Sequence, residues 1–159
     1  MSHLEKYTIV HDFVIGRLSI TSNGHQLTSV SYVDNNTPLC ATSNRFTKTI
    51  IGQLDNYFSS SDWAFTIPMK VYGTPFQQRL WKHLQTIPTG KTQTYQEVAQ
   101  QLETSPRAVG GACRANPVPI IVPCHRVLAK SGLGGYDGDW GSGKVNIKQW
   151  LLNHEQALV

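Results

Sequence analysis

The sequence predicts an α+β protein in which a small antiparallel sheet with one helix precedes a mainly helical domain of the winged helix-turn-helix type. Two observations support this prediction. Short stretches of strand-like apolar residues lie between Tyr7 and Val33 and are separated by turn residues. Capped helical segments joined by tight turns dominate the chain after Gly73. We therefore expect two domains, residues 1–72 and residues 73–159.

Composition places the chain among ordinary globular proteins. It has 159 residues, of which 40% are hydrophobic and 15% charged, and a formal net charge of +4. This mildly basic balance permits nucleic-acid binding without establishing it. No apolar run approaches the roughly eighteen residues of a membrane span, and the first residues lack a signal-peptide pattern. We expect a monomer that has no membrane association and is cytoplasmic, or nucleoid-associated if bacterial.

The three cysteines are Cys40, Cys113 and Cys124, and no two of them are closely spaced. An odd number argues against a disulfide framework, and the wide spacing argues against a thiolate zinc site. Both observations suit a reducing compartment. We therefore predict neither a metal nor a cofactor.

Strand signals organise the first domain. Tyr7–Val10 and Phe13–Ile20 have the composition of strands, and Leu27–Val33 alternates as a return strand. Between the last two, Asn23-Gly24 is typical of a type I′ hairpin turn. These segments predict the antiparallel sheet.

Each predicted helix is recognised by the residues at its start. The first has Ser43 or Asn44 as its cap and apolar residues at helical spacing up to Tyr57. In the second domain, capping boxes begin at Thr74 and Thr94.

A further helix is predicted from Pro106 to Ala115, and with the short helix before it forms a helix-turn-helix. Its interior contains Gly110-Gly111, and each glycine costs roughly 1 kcal/mol relative to alanine. Such a pair indicates that something approaches the backbone closely. Either another helix packs there or a ligand does.

A cysteine beside a histidine stands at the end of an apolar run in Val122–Val127. One interpretation is a small apolar cysteine in a core. The other is a nucleophilic thiol, because prolines rigidify the backbone before it and the glycines of 131–136 let a ligand approach. These residues alone leave both interpretations open.

The wider stretch Asn116–Val127 closely resembles the active-site signature of the O6-alkylguanine-DNA alkyltransferases, also called methylated-DNA–protein-cysteine methyltransferases. Arg107–Asn116 resembles the DNA-reading helix of that family, and Lys148–Glu155 resembles its C-terminal helix. The resemblance implies that the second domain binds the minor groove of duplex DNA containing alkylated guanine. It further implies that O6-alkylguanine, or O4-alkylthymine, is flipped out and that its alkyl group moves irreversibly to the protein's own cysteine.

The resemblance also implies the catalytic residues. Cys124 accepts the alkyl group, water relays its proton to His125, Glu155 orients that histidine, and Asn116 acts as a hinge. A base is required, because a thiol of pKa about 8.5 is only a few per cent ionised at neutral pH. Glu155 also shares a helical face with apolar residues four and eight positions earlier, which favours a buried, partnered carboxylate. A solvated surface glutamate is the alternative.

The remaining site residues are implied to meet DNA or the flipped base. Arg107 fills the space that the base leaves, Tyr95 crowds the neighbouring phosphate, and Arg114 meets phosphate. Small residues let the helix enter the groove: Ala108, Gly110 and Gly111. The base pocket is implied to be lined by Pro119, Val127, Tyr136 and Asp137. The chain departs from the family at 137–144, which looks like an insertion.

Three other functions fit parts of the pattern. A non-enzymatic lesion sensor of the same fold would replace the nucleophile, whereas this chain keeps Cys124. A helix-turn-helix transcription regulator would need base-reading side chains on a helix that is mostly glycine and alanine. A thiol hydrolase would need an acyl-substrate pocket, which no motif indicates.

Overall fold

The computed structural model describes residues 6–41, 44–136 and 143–157, except for the side chains of 143–145. The chain divides into two compact units, Met1–Val71 (unit 1) and Tyr72–Val159 (unit 2). An antiparallel sheet with one helix forms unit 1, and helices dominate unit 2. The predicted α+β class is confirmed. Within the described residues, no helix has both the length and the apolar character needed to cross a membrane.

Three antiparallel strands form the sheet of unit 1 in the order of the chain: β1 (Tyr7–Phe13), β2 (Gly16–Ser22) and β3 (Leu27–Val33). The central strand β2 carries Leu18 and Ile20, whose side chains are fully buried. Their alternation along the strand puts both on one face, which forms the core of this unit.

Both turns of the sheet differ from the prediction. A turn before Gly16, which has φ +128°, interrupts the strand expected over Phe13–Ile20; apolar residues in the turn concealed it. The second turn is not type I′, because φ at Asn23 is not positive. Instead, Oδ1 of Asn23 accepts hydrogen bonds from the backbone N–H groups of His25 and Gln26, at 3.0 and 2.8 Å. The asparagine side chain therefore shapes the turn.

The helix of unit 1, α1 (Arg45–Ser59), begins at its predicted cap. The side chain of Asn44 accepts a hydrogen bond from the backbone N–H of Thr47 at 3.1 Å. The other candidate cap, Ser43, lies outside the described residues. The buried apolar side chains of α1 are Ile50, Leu54 and Tyr57.

Unit 2 contains four α-helices and two short paired strands among its described residues. In chain order they are α2 (Pro75–Leu84), β4 (Gln93–Thr94), α3 (Tyr95–Gln101), α4 (Pro106–Arg114), β5 (Val127–Leu128) and α5 (Gly143–His154). The predicted capping box at Thr74 is complete, with Gln77 as its partner. At Thr94 the hydroxyl accepts from the backbone N–H of Glu97, which is the cap half of the predicted box. The strands β4 and β5 pair in parallel.

A tight turn joins α3 to α4, and these two helices pack on each other. Val98 of α3 and Val109 of α4 are both fully buried. Helix α2 also holds α4 in place, because Nε1 of the buried Trp81 donates a hydrogen bond to the carbonyl oxygen of Ala112 at 2.9 Å. One face of α4 is thereby fixed to the rest of unit 2. Its opposite face is free to form a site.

Glu155 directly follows α5 and continues its last turn. The backbone N–H of Glu155 donates to the carbonyl oxygen of Leu151 at 3.0 Å, and Leu151 and Leu152 are fully buried. This anchor brings Glu155 into the interior of unit 2, where it is 2% exposed. Burial of this kind excludes the alternative of a solvated surface glutamate.

Candidate active site

A pocket of about 520 Å³ opens in unit 2. This volume is in the range of pockets that hold small molecules. Its walls come from α3, α4, the segment of Cys124 and the segment before α5. Residues from all of these segments line it, among them Tyr95, Arg107, Gly110, Cys124, Gly135 and Tyr136. The pocket thus combines predicted groove residues with the predicted nucleophile.

Two predicted pocket residues do not line this pocket, and one lies outside the described part of the chain. Pro119 is buried in the turn that precedes Cys124. Val127 is fully buried and pairs with Gln93 between the short strands, so its side chain belongs to the core. Asp137 falls outside the described residues, as do the next five residues of the predicted insertion.

One face of α4 is open. Arg107, Gly110, Gly111 and Arg114 are spaced i, i+3, i+4 and i+7, and all four line the pocket. A Cβ atom added at either glycine would meet no heavy atom within 4 Å. Close helix–helix packing, one of the two explanations for the glycine pair, is therefore wrong. Because glycine has no side chain, the helix backbone is accessible at Gly110 and Gly111, with Arg107 on one side and Arg114 on the other.

The start of α4 is held by a cap. The hydroxyl of Ser105 accepts a hydrogen bond from the backbone N–H of Ala108 at 3.1 Å. Ala108 is half-buried and does not line the pocket. Its place is at the beginning of the open face, next to Arg107.

Asn116 connects α4 to the cysteine. Its Nδ2 donates hydrogen bonds to the carbonyl oxygen of Val122 at 2.8 Å and to Sγ of Cys124 at 3.2 Å. Its Oδ1 accepts from the backbone N–H of Val118 at 3.0 Å. These contacts fix the thiol at the pocket wall, so Cys124 is more than an apolar space-filler of the core.

A second thiol lines the pocket. Cys113 is on α4, and burial, together with the neighbouring Cys124, raises the pKa of Cys113 well above its ordinary value. Cys113 therefore stays protonated and is a poor nucleophile. The third thiol, Cys40, belongs to unit 1 and is exposed.

His125 and Glu155 form a buried pair. Nε2 of His125 lies 2.7 Å from Oε2 of Glu155, and both side chains are fully buried. Burial lowers the pKa of His125, with Arg126 acting in the same direction, so the imidazole is neutral. A carboxylate only accepts hydrogen bonds, so Nε2 carries the proton. Nδ1 of His125 is left as the proton acceptor, and it has no hydrogen-bond partner among the described residues.

Arg126 keeps that carboxylate charged. Its Nε donates to Oε1 of Glu155 at 2.8 Å and its Nη2 donates to Oε2 at 3.0 Å, a bidentate ion pair. Its Nη1 and Nη2 also donate to the carbonyl oxygen of Ile87 and the hydroxyl of Thr89, at 2.6 and 3.2 Å. Burial opposes the charge, but the hydrogen bonds from His125 and Arg126 hold the pKa of Glu155 well below its ordinary value.

The sequence did not place Arg126 among the predicted site residues and offered it only as an alternative source of thiol activation should Glu155 play no part. Its position beside the predicted base His125 was the available signal. Among the described residues, no cluster of three or more His, Cys, Asp or Glu side chains has the arrangement of a metal site.

The sequence of unit 2 matches a known protein family. The family model of the DNA-binding domain of 6-O-methylguanine DNA methyltransferase matches residues 75–157. The chain belongs to this family. A methylated-DNA–protein-cysteine methyltransferase of Sulfolobus acidocaldarius is 33% identical over 94% of this chain and 96% of its own length. The Mycobacterium leprae methyltransferase is 41% identical over 93% of this chain and 91% of its own length.

Solved structures of methyltransferases agree with this assignment. The structure of Mycobacterium tuberculosis O6-methylguanine methyltransferase superposes with a TM-score of 0.79 at 35% identity and covers 95% of this chain and 93% of its own. The structure of Mycobacterium tuberculosis OGT in complex with DNA superposes with a TM-score of 0.77 at 35% identity, covering 94% of each chain. The methyltransferase fold therefore extends over nearly the whole chain.

Proposed function

We propose that this protein repairs DNA by moving the alkyl group of O6-alkylguanine, and of O4-alkylthymine, onto its own Cys124, once per molecule. Membership of the methyltransferase family supports the reaction class. The observation that carries the assignment of the acceptor is the position of Cys124 in the pocket, where Asn116 donates a hydrogen bond to its sulfur. The other two thiols are either protonated through burial or placed in unit 1.

The reaction is a displacement at carbon. The thiolate of Cys124 attacks the alkyl carbon, an S–C bond forms, the bond between that carbon and O6 breaks, and the electron pair leaves with the guanine. A thioether is a poor leaving group, so the alkylated protein is not regenerated. A thiolate is the soft nucleophile that this displacement needs.

The thiol is activated by a relay of three groups. Its proton passes through water to Nδ1 of His125, the acceptor left by the hydrogen bond of Nε2 to Glu155. The imidazolium that forms is stabilised by the carboxylate, as in other triads of nucleophile, histidine and acid. Arg126 keeps Glu155 ionised while the proton moves.

The open face of α4 is the DNA-binding surface in this proposal. Gly110 and Gly111 let the helix backbone approach the floor of the minor groove, where bulky side chains prevent entry. Arg107 fills the place in the base stack that the flipped base has left, and Arg114 contacts a phosphate. Tyr95 packs against the phosphate beside the lesion. Tyr136 forms a wall of the pocket that receives the base. We further propose that the protein acts in the cytoplasm as a monomer.

The test is the intact mass of the protein after incubation with a duplex that contains one O6-methylguanine. We expect a gain of one methyl group, about 14 Da, and peptide mapping should place it on Cys124. Cys124→Ser should gain nothing, whereas Cys40→Ser and Cys113→Ser should react as the unsubstituted protein does. A methyl group on either of those two cysteines, or several turnovers per molecule, would contradict the proposal.

A further inference from the structure

A left-handed turn follows the carboxylate of the proposed relay. Gln156, directly after Glu155, has φ +60°, a conformation that glycine adopts readily and other residues seldom adopt. The backbone N–H of Gln156 donates to the carbonyl oxygen of Asn153 at 3.0 Å. That of Ala157 donates to the carbonyl oxygen of Leu152 at 2.9 Å. These two hydrogen bonds form a Schellman motif, in which Glu155 is the C-cap of α5.

The helix itself does not favour a carboxylate at this place. The C-terminal end of a helix carries partial negative charge, which repels an anionic side chain. The oxygens of Glu155 are nevertheless held there by His125 at 2.7 Å and by Arg126 at 2.8 and 3.0 Å. Hydrogen bonds from N–H groups span only roughly 2.7–3.2 Å, so a shift of about 1 Å would break them. The relay therefore depends on where the backbone places Glu155.

Apolar packing connects this turn to the strand that follows the base. Ala157 is buried in one cluster with Leu152 of α5 and Leu128 of β5. Leu152 and Ala157 are the two ends of the Schellman motif, and an apolar contact at its ends is a usual part of the motif. Leu128 lies two positions after Arg126. The cluster therefore joins the turn after α5 to the segment that carries the partners of the carboxylate.

A second turn lies close to the same backbone. Gly90 has φ +85°, and a Cβ atom added there would lie 3.3 Å from the carbonyl oxygen of Glu155. Its neighbour Thr89 accepts a hydrogen bond from Nη2 of Arg126 at 3.2 Å. The turn at 89–90 is thus close to both members of the ion pair, which leaves the backbone of Glu155 little space on that side.

We propose that Gln156 and Ala157 are positioning residues for alkyl transfer: the turn that they form sets where the carboxylate of Glu155 meets His125. This inference rests on the proposed function of Cys124. Neither positioning residue lines the pocket, so both act through the carboxylate. If the turn is strained or loses its packing, the carboxylate moves away from His125, and the thiol loses part of its activation.

The first test introduces strain at Gln156 without removing a packed side chain. Gln156 is exposed, and Gln156→Val places a β-branched residue at φ +60°, whereas Gln156→Gly introduces no strain there. We expect Gln156→Val to titrate its thiol about one pH unit higher. It should therefore react with free O6-benzylguanine about tenfold more slowly at neutral pH, and the difference should disappear at high pH, where both thiols are ionised. Gln156→Gly should titrate and react as the unsubstituted protein does.

Glu103→Val is the matched control for a general loss of stability. Glu103 is also exposed and has φ +54°. It ends α3 with the same pair of hydrogen bonds, donated by the backbone N–H groups of Glu103 and Thr104. We expect Glu103→Val to lower Tm as Gln156→Val does but to leave the thiol titration unchanged. If the two variants shift the titration equally, strain acts through stability alone and the inference is wrong.

A double substitution tests whether the turn acts through the carboxylate. In Glu155→Gln the charge that the turn positions is gone, so adding Gln156→Val should shift the thiol titration no further. Additive shifts would show that the turn acts by another route and would overturn the inference.

A milder substitution keeps the inference testable if Gln156→Val does not fold. Ala157→Gly removes one buried methyl group from the cluster and should shift the thiol titration in the same direction by a smaller amount. An unshifted titration in the folded variants, with normal methyl transfer to Cys124 in the unsubstituted protein, refutes the inference alone. If the unsubstituted protein transfers no methyl group to Cys124, the proposed function itself fails.

Discussion

Asn116 and Cys124 are joined by a hydrogen bond of 3.2 Å from Nδ2 to Sγ. Asn116 directly follows the C-cap of α4, so a single side chain connects the helix with the open glycine face to the thiol. The same amide is held in place at both ends by the backbone of Val118 and Val122. Its orientation is therefore fixed, and it presents a donor to the sulfur.

Replacing that donor by an acceptor should deactivate the thiol. Asn116→Asp keeps the size of the side chain but places negative charge beside the sulfur, which opposes the thiolate. We expect the rate with free O6-benzylguanine to fall at least about tenfold, which corresponds to about 1.4 kcal/mol. Stopped-flow measurement would give the rate, and thiol absorbance would give the titration midpoint. The exposed Asn56→Asp of α1 is the matched control, and equal rates in both variants would remove Asn116 from the mechanism.

Gly111→Ala should stabilise the protein and impair repair. The residue has no positive φ and an added Cβ meets nothing, so alanine should raise the free energy of unfolding by about 0.5–1 kcal/mol. On the open face of α4, however, the methyl group would obstruct the groove. We expect a raised Tm, slower repair of duplex DNA and an unchanged reaction with the free base. Gly52→Ala in α1, where a Cβ is equally unobstructed, should raise Tm without slowing repair.

Arg107→Ala should separate base flipping from chemistry. If Arg107 fills the place that the flipped base leaves in the stack, it offsets part of the free energy of unstacking and unpairing, which is a few kcal/mol. Alanine cannot fill that place. We expect repair in duplex DNA to slow by one to two orders of magnitude, as this energy implies, while free O6-benzylguanine reacts as before. Single-turnover rates on the two substrates give the comparison. A similar loss on both would place Arg107 in the chemistry instead.

Acid should destabilise the protein through the buried pair of His125 and Glu155. Burial lowers the pKa of His125 below 6.5, and hydrogen bonds from His125 and Arg126 lower the pKa of Glu155 below 4.5 despite its burial. For both groups the unfolded chain binds a proton at higher pH than the folded chain, so stability rises with pH and falls on acidification. We expect Tm to decrease steadily from pH 6.5 through pH 4.5 and below.

Glu155→Gln tests the same pair by a second route. The amide lacks the charge that pairs with Arg126, so the variant should be less stable at neutral pH by on the order of 1–3 kcal/mol. Because the amide cannot titrate, the variant should lose less of its stability on acidification. It should also titrate its thiol at higher pH, because the amide no longer stabilises the imidazolium. Calorimetry from pH 7 to pH 4 and thiol absorbance measure the two effects. Parallel Tm curves and identical thiol titrations would refute the relay.

DNA affinity should depend on salt and hardly on sequence. On the proposed function, the two arginines on the open face of α4 meet a phosphate and fill the base stack, and the two glycines between them have no side chain that could read a base edge. We expect the logarithm of the binding constant to fall linearly with the logarithm of salt concentration, by about 0.9 per phosphate contact. Fluorescence anisotropy across several duplex sequences gives both quantities. A strong preference for one undamaged sequence would instead favour a transcription regulator.

Local signals predicted the local parts of this fold. The caps at Asn44 and Thr74 were correct, because a cap involves only residues within one helical turn. The turn before Gly16 was missed because its apolar residues look like a continuing strand. Alternation of apolar and polar residues indicates which positions are buried. It does not distinguish a tight turn made of apolar residues from a continuing strand.

Long-range contacts of the site were beyond pattern analysis. Arg126 bonds to the carbonyl of Ile87, 39 positions away, and Lys148 bonds to that of Val127, 21 positions away. Backbone carbonyls are present at every position, so no residue type marks them as partners. The resemblance placed Glu155 beside His125, but the bidentate ion pair that keeps its carboxylate charged became visible only in three dimensions.

The carboxylate that completes the relay lies 30 positions after His125 along the chain. During synthesis the ribosome therefore releases the cysteine and histidine before Glu155 and before the helix α5 that directly precedes it. On the proposed relay, the nascent chain holds an ordinary thiol, and only docking of α5 makes it reactive. For a protein whose acceptor is used once, the proposed relay therefore leaves the thiol unactivated until the pocket that selects the substrate has formed.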